Sequence, residues 1–395
     1  MYNYYRKTNS SEETEIMSAT IKIIDRKDSK FYSTFSVAAV DDETGKHLST
    51  GGFGVCDSRY CGKYLKTLTA GGVATPVHNR RGGNVRKMFN KMLEMAPEEG
   101  WVVAMLHPFS TSYYRMFGYE KISDHRILRF PTSKLDFVPR HCNLVRYDTD
   151  EQTADLIAVY EKFAENRNIM FRRFDDSHFT VNGKKHTGDK NTYIYYDAKG
   201  EATGYIKYTV SNQFWVNQMI NGVLTVDEIA FTTPEALKEI FSFLRMFEGE
   251  MDTIEISNCA MSPEVEMTLR HYIHTTYTLV PDVMARVLDV KAILEANKYP
   301  KEEGKFTVKV NDFLDFTKGV YEVSYGDGEG IVKKLADTAD YDLSADMPAF
   351  TQMLYGYDEY NSFNAQFLEG VELKNDANDF FRAFPKRPAG LFEHF

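Results

Sequence analysis

The stretch Gly71-Gly-Val-Ala-Thr-Pro-Val-His-Asn-Arg-Arg-Gly-Gly-Asn-Val-Arg86 joins two kinds of periodicity. On one side, Tyr64–Thr75 reads as a strand. On the other, Val85, Met88, Phe89 and Met92 recur at i, i+3, i+4 and i+7, one face of a helix that Pro97 and Gly100 bring to an end. Helix N-termini expose N–H groups without partners at the positive end of the dipole, and the two together attract phosphates. Glycines let the backbone approach a ligand closely, and Arg80, Arg81 and Arg86 can add charge-assisted bonds. The stretch therefore reads as a cradle for a phosphate-bearing ligand; the plainer alternative is a glycine turn flanked by solvated arginines. It has neither the Gly-x-Gly-x-x-Gly of a dinucleotide-binding unit nor the Gly-Lys-Ser/Thr of a P-loop.

Outward from this loop the chain divides into three blocks. Upstream, a helix is expected near Ser11–Ile23, then a hairpin of Phe31–Val40 and His47–Val55 around the turn Asp41–Gly45. Downstream, Trp101–Leu106 reads as a buried strand and residues 121–130 as another, and Pro131 and Pro139 mark a boundary. The second block begins near Leu144 with an amphipathic helix bearing Leu156, Val159, Tyr160 and Phe163. It contains an echo of the first: strand Leu224–Phe231, then Thr232-Thr-Pro234, then a helix with Leu237, Ile240, Phe241 and Leu244. The glycines and arginines are missing from this copy. Periodicity leaves two readings open, a duplicated fold that has lost its second phosphate site or chance similarity of two strand–helix units. The third block follows Leu288, with a helix at Val290–Asn297, strands at Phe306–Val310, Gly319–Tyr325 and Gly330–Leu335, and helices at Met347–Leu354 and near Tyr360–Leu368. The chain ends Pro388-Ala-Gly-Leu-Phe-Glu-His-Phe395, and so aromatic a terminus is expected to dock rather than fray.

Composition bounds the function. A length of 395 residues implies two or three domains. With 14% aromatic residues, several packed cores are possible and global disorder is excluded. A net charge of −10 argues against a nucleic-acid partner and mildly favours a cationic substrate. Cys56, Cys61, Cys142 and Cys259 form no CxxC pair, and no His/Cys grouping has zinc-ligand spacing, so no metal is expected. The N-terminus lacks a signal-peptide core, and no apolar run approaches about 18 residues. A soluble cytoplasmic protein with no membrane partner is the expectation.

Several motifs taken together resemble the GNAT acetyltransferases, and within them the Eis (enhanced intracellular survival) family. The loop Arg80-x-x-Gly83-x-Val85 is similar to the GNAT Arg/Gln-x-x-Gly-x-Gly/Ala, with the aliphatic last residue of Eis proteins. Val73-Ala-Thr75 resembles that family's strand end, Tyr114-Arg-Met-Phe-Gly-Tyr119 its Tyr-x-x-Phe-Gly-Tyr, and Phe395 its aromatic C-terminus. The resemblance implies an α+β chain: tandem GNAT domains with mixed central sheets flanked by helices, then a sterol-carrier-protein-like α/β domain. The blocks become a catalytic GNAT domain at 1–138, a degenerate GNAT domain without a phosphate loop at 139–289, and the sterol-carrier-like domain at 290–395.

It also implies acetyl-CoA as co-substrate, a small-molecule amine as acceptor, and a homo-oligomer, by family habit a hexamer. Backbone groups of Val73 and Thr75 would bond the pantetheine arm, the Gly72 N–H would face the thioester oxygen, and amides around Arg81, Gly82, Gly83, Asn84 and Val85, with Arg80 beside them, would hold the pyrophosphate. Tyr114 would protonate the departing thiolate, and the α-carboxylate of Phe395 would take a proton from the substrate ammonium. Each has a plainer counterpart: one of Tyr113 and Tyr114 as core, Phe395 as a hydrophobic anchor. His78 and His107 flank the site and are read as structural, Cys56 and Cys61 as packing residues. Two departures stand out: the N-terminus is short for the family, and Gly82 replaces a usual polar contact to phosphate. The expected activity is N-acetylation of an aminoglycoside-like or polyamine-like cation or of a lysine side chain. The alternative is a non-catalytic acyl-CoA- or lipid-binding sensor.

Overall fold

A computed structural model describes residues 19–29, 32–211, 222–257, 262–270 and 273–395. Strands β1 (Ala19–Asp28), β2 (Ser33–Asp41), β3 (His47–Tyr60) and β4 (Lys63–Ala74) form an antiparallel meander. The expected helix near Ser11–Ile23 lies outside the described residues up to 18, and from Ala19 onward the chain is strand. The run Thr20-Ile-Lys-Ile-Ile24 is rich in β-branched residues, and β2 offers it a free edge to pair with. Helices α1 (Asn84–Glu94) and α2 (Ala96–Glu99) lead to β5 (Val103–Leu106), which pairs parallel with β4. Met88, Phe89, Met92 and Leu93 line the apolar stripe of α1 and bury it against Phe35, Phe53, Leu68 and Trp101 of this sheet layer.

After α3 (Thr111–Arg115) and β6 (Glu120–Lys121), the chain leaves this sheet as β7 (Asp124–Pro131). The second unit then runs through β8 (Leu144–Arg146), α4 (Gln152–Ala164), β9 (Lys190–Tyr196), β10 (Ala202–Ser211), β11 (Val223–Phe231), α5 (Pro234–Arg245), β12 (Thr253–Ile256), α6 (Pro263–Thr268) and β13 (Thr276–Pro281). Strand β14 (Met284–Val287) carries the chain back. The two seven-stranded sheets have matching orders, β1-β2-β3-β4-β5-β14-β6 and β8-β9-β10-β11-β12-β7-β13. In each, three antiparallel strands precede one parallel pairing, β4 with β5 and β11 with β12.

The domain boundaries expected at 138/139 and 289/290 miss an exchange of strands. From the first block, β7 pairs with β12, Ile256 opposite Leu128, while β14 from the second block lies between β5 and β6. Pairing joins backbone groups that every residue but proline carries, so the side chains of β7 do not by themselves name its partner strand.

The third unit comprises α7 (Val290–Ala296), β15 (Gly304–Asn311), β16 (Gly319–Gly326), β17 (Glu329–Leu335), β18 (Leu343–Asp346), α8 (Met347–Leu354), β19 (Val371–Leu373) and α9 (Asn378–Ala383), with sheet order β17-β16-β15-β18-β19. A continuous apolar core joins it to the first sheet: Tyr60, Val103, Met105 and Ala285 pack with Phe350, Leu354 and Tyr355. Where a helix is expected near Tyr360–Leu368 there is only a 3-10 turn at Ala365–Phe367. The Asn361 side chain accepts bonds from the N–H groups of Phe363 and Asn364, at 2.9 and 3.0 Å, as an N-cap does, but Phe363 and Phe367 stay exposed, so no buried apolar face extends the turn into a helix. Among the described residues, no helix is long and apolar enough to cross a membrane.

One buried joint fixes the geometry between units. Arg286 of β14 is fully buried, bonds the Phe117 carbonyl and pairs with Asp312 of the third unit. Gly118 lies against its guanidinium at φ +81°, where an added Cβ would meet Arg286. Gly118→Ala is expected to cost about 3 kcal/mol, through left-handed strain and displacement of a buried charge. A thermal melt should show a loss of several degrees; an unchanged midpoint would contradict this account of the joint.

Candidate active site

The parallel pairing of β4 with β5 is short. It runs from Thr67 opposite Val103 to Ala70 opposite Leu106, where β5 stops. Strand β4 continues to Ala74, so residues 71–74 present an unpaired edge in the cleft beyond β5. On its other side β4 spends one residue more than β3: Gly71 faces Gly52, whereas Ala74 faces Thr50. This bulge contains Gly72 at φ +58°, a conformation glycine adopts without strain, and bulges re-aim backbone groups out of the ladder. Gly72 and Val73 thus lie at the mouth of the cleft, and Thr75 just beyond is held by Ser49, with the two hydroxyl oxygens 2.9 Å apart.

From Thr75 the chain makes one 3-10 turn at Val77–Asn79 and then the loop Arg80, Arg81, Gly82, Gly83, all exposed. Arg81 and Gly83 have φ +67° and +73°. The first backbone bond of α1 is Lys87 N–H to the Gly83 carbonyl at 3.0 Å, and no side chain caps the helix. The N–H groups of Asn84, Val85 and Arg86 therefore have no helical acceptor and suit an anion. The corresponding helix of the second unit is closed. Thr233 accepts the Ala236 N–H at 3.1 Å and Pro234 fills the first turn, so α5 satisfies its own N-terminus.

Tyr114 sits in α3, which Ser110 caps by accepting the Tyr113 N–H. Its ring is 5% exposed and packs on Phe89 and Phe109, with centroids 5.8 and 5.4 Å away. Burial, aided by neighbouring Tyr113, pushes the phenol up to about 12. It holds its proton throughout the neutral range.

Phe395 comes to the same cleft from the far end of the chain. A Cβ placed on Gly71 would be 2.8 Å from the terminal carbon of Phe395 and 3.0 Å from its oxygen, so only glycine there admits the C-terminus. The Phe395 ring packs on His107 and Phe171, at 4.8 and 5.5 Å. The tail before it is tied down by Asn168, whose N–H bonds the Pro388 carbonyl at 2.8 Å. His107 is more elaborately placed than its sequence reading suggested. Its Nδ1 lies 3.2 Å from Asp282, and its buried Nε2 has no partner. The sequence gives no signal of this dyad, because Asp282 reaches His107 only once β14 enters the first sheet beside β5. His78 is exposed in the 3-10 turn, and burial raises the Cys56 thiol far above its ordinary range, leaving it protonated. The chain thus sets its terminus beside the β4 edge at Gly71, and carries an open helix N-terminus at Asn84 and a protonated phenol at Tyr114.

The fold has counterparts among known proteins. Residues 10–122 match a family model described as acetyltransferase (GNAT) domain, and residues 170–287 match another of the same description. A search of curated proteins by sequence finds no match. Among solved structures, the chain is similar to a probable N-acyltransferase of unknown function from Enterococcus faecalis, at 19% identity and TM-score 0.77, covering 92% of this chain and 89% of that one. It is also similar to a GCN5-related N-acetyltransferase from Anabaena variabilis, at 16% identity and TM-score 0.73, covering 88% and 90%. Eis1 from Mycobacterium abscessus superposes with TM-score 0.74 at 16% identity, covering 93% and 92%. The chain carries two GNAT domains in tandem, a strand exchanged between them, and it is an acetyltransferase.

Proposed function

We propose that this chain is an Eis-like N-acetyltransferase that moves the acetyl group of acetyl-CoA directly to a primary amine of a cationic small molecule or a lysine side chain. The observation that carries the reading is the C-terminal carboxylate of Phe395 lying against Gly71 at the mouth of the cleft. GNAT domains use acetyl-CoA as co-substrate, and the residues present fit it: a free strand edge for the pantetheine arm and an uncapped helix for the pyrophosphate. Val73 and Thr75 would bond the arm, and the Gly72 N–H would stabilise charge on the thioester oxygen. Arg80, Arg81, Gly82, Gly83, Asn84 and Val85 would hold the phosphates. The thioester supplies an activated acyl carbon; a C–N bond forms there as the C–S bond breaks. Phe395 would accept the proton that the amine sheds, and Tyr114 would donate a hydrogen bond to the sulfur as it takes on charge.

A lipid-binding role finds less support. The cavity between β15 and β16, lined by Val310 and Val320 as well as Lys309, Asp312, Lys318 and Asp337, has about 190 Å³, less than the roughly 300 Å³ of small-ligand pockets. The test is release of free thiol from acetyl-CoA across polyamines, lysine derivatives and aminoglycosides. Tight acetyl-CoA binding with no thiol released from any of them would favour the sensor reading.

The loop carries its own prediction. Gly83→Val forces a β-branched residue to φ +73° in open space, so the fold should survive while the loop shifts. KM for acetyl-CoA should rise by about tenfold, the worth of roughly one charge-assisted bond, with kcat nearly unchanged. An unaltered KM would remove the loop from the phosphate site.

A further inference from the structure

The second GNAT domain has a closed helix N-terminus, yet it holds the one element the proposed chemistry cannot do without. Its segment 168–173 is sandwiched between the first domain and the C-terminal tail. On one side Ile169 and Arg172 donate N–H bonds to the Arg59 and Asp57 carbonyls of β3, at 2.7 and 2.9 Å; on the other, Asn168 bonds Pro388. Arg173 ends this segment, with its side chain 1% exposed. Its guanidinium is shared by two carboxylates. The Nε bonds Glu393 at 2.8 Å, and the two terminal nitrogens bond Glu228 of β11 at 2.5 and 3.0 Å. Glu228 also accepts the Tyr205 hydroxyl, and the guanidinium lies over the Tyr160 ring at 3.9 Å. Burial alone would raise the Glu393 carboxyl, but Arg173 and nearby His178 hold it down to about 2. Glu393 precedes the terminal carboxylate by two residues, a reach of about 7 Å at most.

We propose that Arg173, braced by Glu228, is a positioning residue that grips Glu393 and so aims the C-terminal carboxylate of Phe395 at the cleft of the first domain. The degenerate domain then serves as a clamp on the catalytic terminus. This rests on the reading of that carboxylate as the proton acceptor. Without the grip, ring contacts are left to hold the tail, Phe392 on Phe163 at 6.3 Å and Phe395 on His107 and Phe171, and the carboxylate spreads over a larger volume. Misplacement of a reacting group by about 1 Å can cost on the order of 100-fold in rate.

The decisive variant is Glu393→Ala, because it leaves the buried Arg173–Glu228 pair intact, whereas Arg173→Met strands a buried carboxylate and endangers folding. In the full-length enzyme, with spermine as acceptor or the best amine of the panel, Glu393→Ala should lower kcat by about 50-fold. KM for acetyl-CoA should stay near wild type, and the thermal midpoint should fall only as far as the loss of the Glu393 ion pairs explains, with the rate read well below it. Glu393→Gln, which keeps an acceptor for the Arg173 Nε–H, should restore most of the rate. In a chain lacking Phe395, Glu393→Ala should have no further effect. A wild-type kcat for Glu393→Ala in a protein that Phe395 removal inactivates would overturn the clamp and leave the base reading standing. A multiplicative loss in the double variant would do the same. Full activity after removal of Phe395 would overturn both.

Discussion

Extending the chain by one glycine beyond Phe395 is expected to lower kcat by about 10² to 10³, with acetyl-CoA affinity within about threefold of wild type. The extension turns the carboxylate into a neutral amide and moves the free carboxylate up to about 3.5 Å away. Room on the Gly71 side is tight, since a Cβ added there would lie 2.8 Å from the terminal carbon of Phe395. A free α-carboxyl titrates near about 3.5 and is a weak base toward a resting ammonium. The amine attacks with its lone pair free, having shed its first proton to solvent, and the carboxylate takes the proton that the nitrogen loses as the C–N bond forms and its acidity rises steeply. The affinity should hold because the phosphate site on α1 is built from other residues. Stopped-flow thiol release and calorimetry measure the two quantities separately. Wild-type turnover in the extended protein would dismiss Phe395 as proton acceptor, and a parallel collapse of affinity would make the terminus a structural plug.

Tyr114→Phe should reduce kcat by about 10² while leaving the fold and KM for acetyl-CoA nearly intact. The phenol, raised to about 12 by burial and by Tyr113, is a weak acid beside a departing thiolate, so hydrogen-bond donation to developing charge is its main contribution. The pH consequence has a definite sign. Because Tyr114 keeps its proton up to about 12, its ionisation produces no fall in rate between pH 7 and 9. Between about 10, where an unfolded tyrosine ionises, and about 12, the folded phenol holds a proton that the unfolded one has shed, so stability drops as pH rises through that window. The Phe variant should lose that component of the alkaline melt. If its rate matches wild type, Tyr113 or another donor serves the sulfur.

Much of the site was legible because its parts are local. The change from strand to helix period around residues 71–86 marks the cradle, and the double glycine before α1 marks an uncapped helix without any knowledge of the fold. The echo at residues 224–244 marks a second copy, and Thr233-Pro234 spells out a self-capped helix there. The segment near Tyr360–Leu368 misled the reading because its apolar spacing implied a buried face, whereas Phe363 and Phe367 stay exposed and only one 3-10 turn forms.

The sequence by itself determined most of the elements, the open helix N-terminus at Asn84 and the chemical character of the terminus, all properties of residues within a few positions of one another. Only the tertiary structure decided which sheet takes β7 and which takes β14, because strand pairing uses backbone groups common to all residues but proline. It alone placed Asp282 beside His107, Phe395 against Gly71, and Arg173 between Glu228 and Glu393. Those contacts span up to 324 positions, from Gly71 to Phe395. They follow from where three cores come to rest against one another, and no local pattern encodes that.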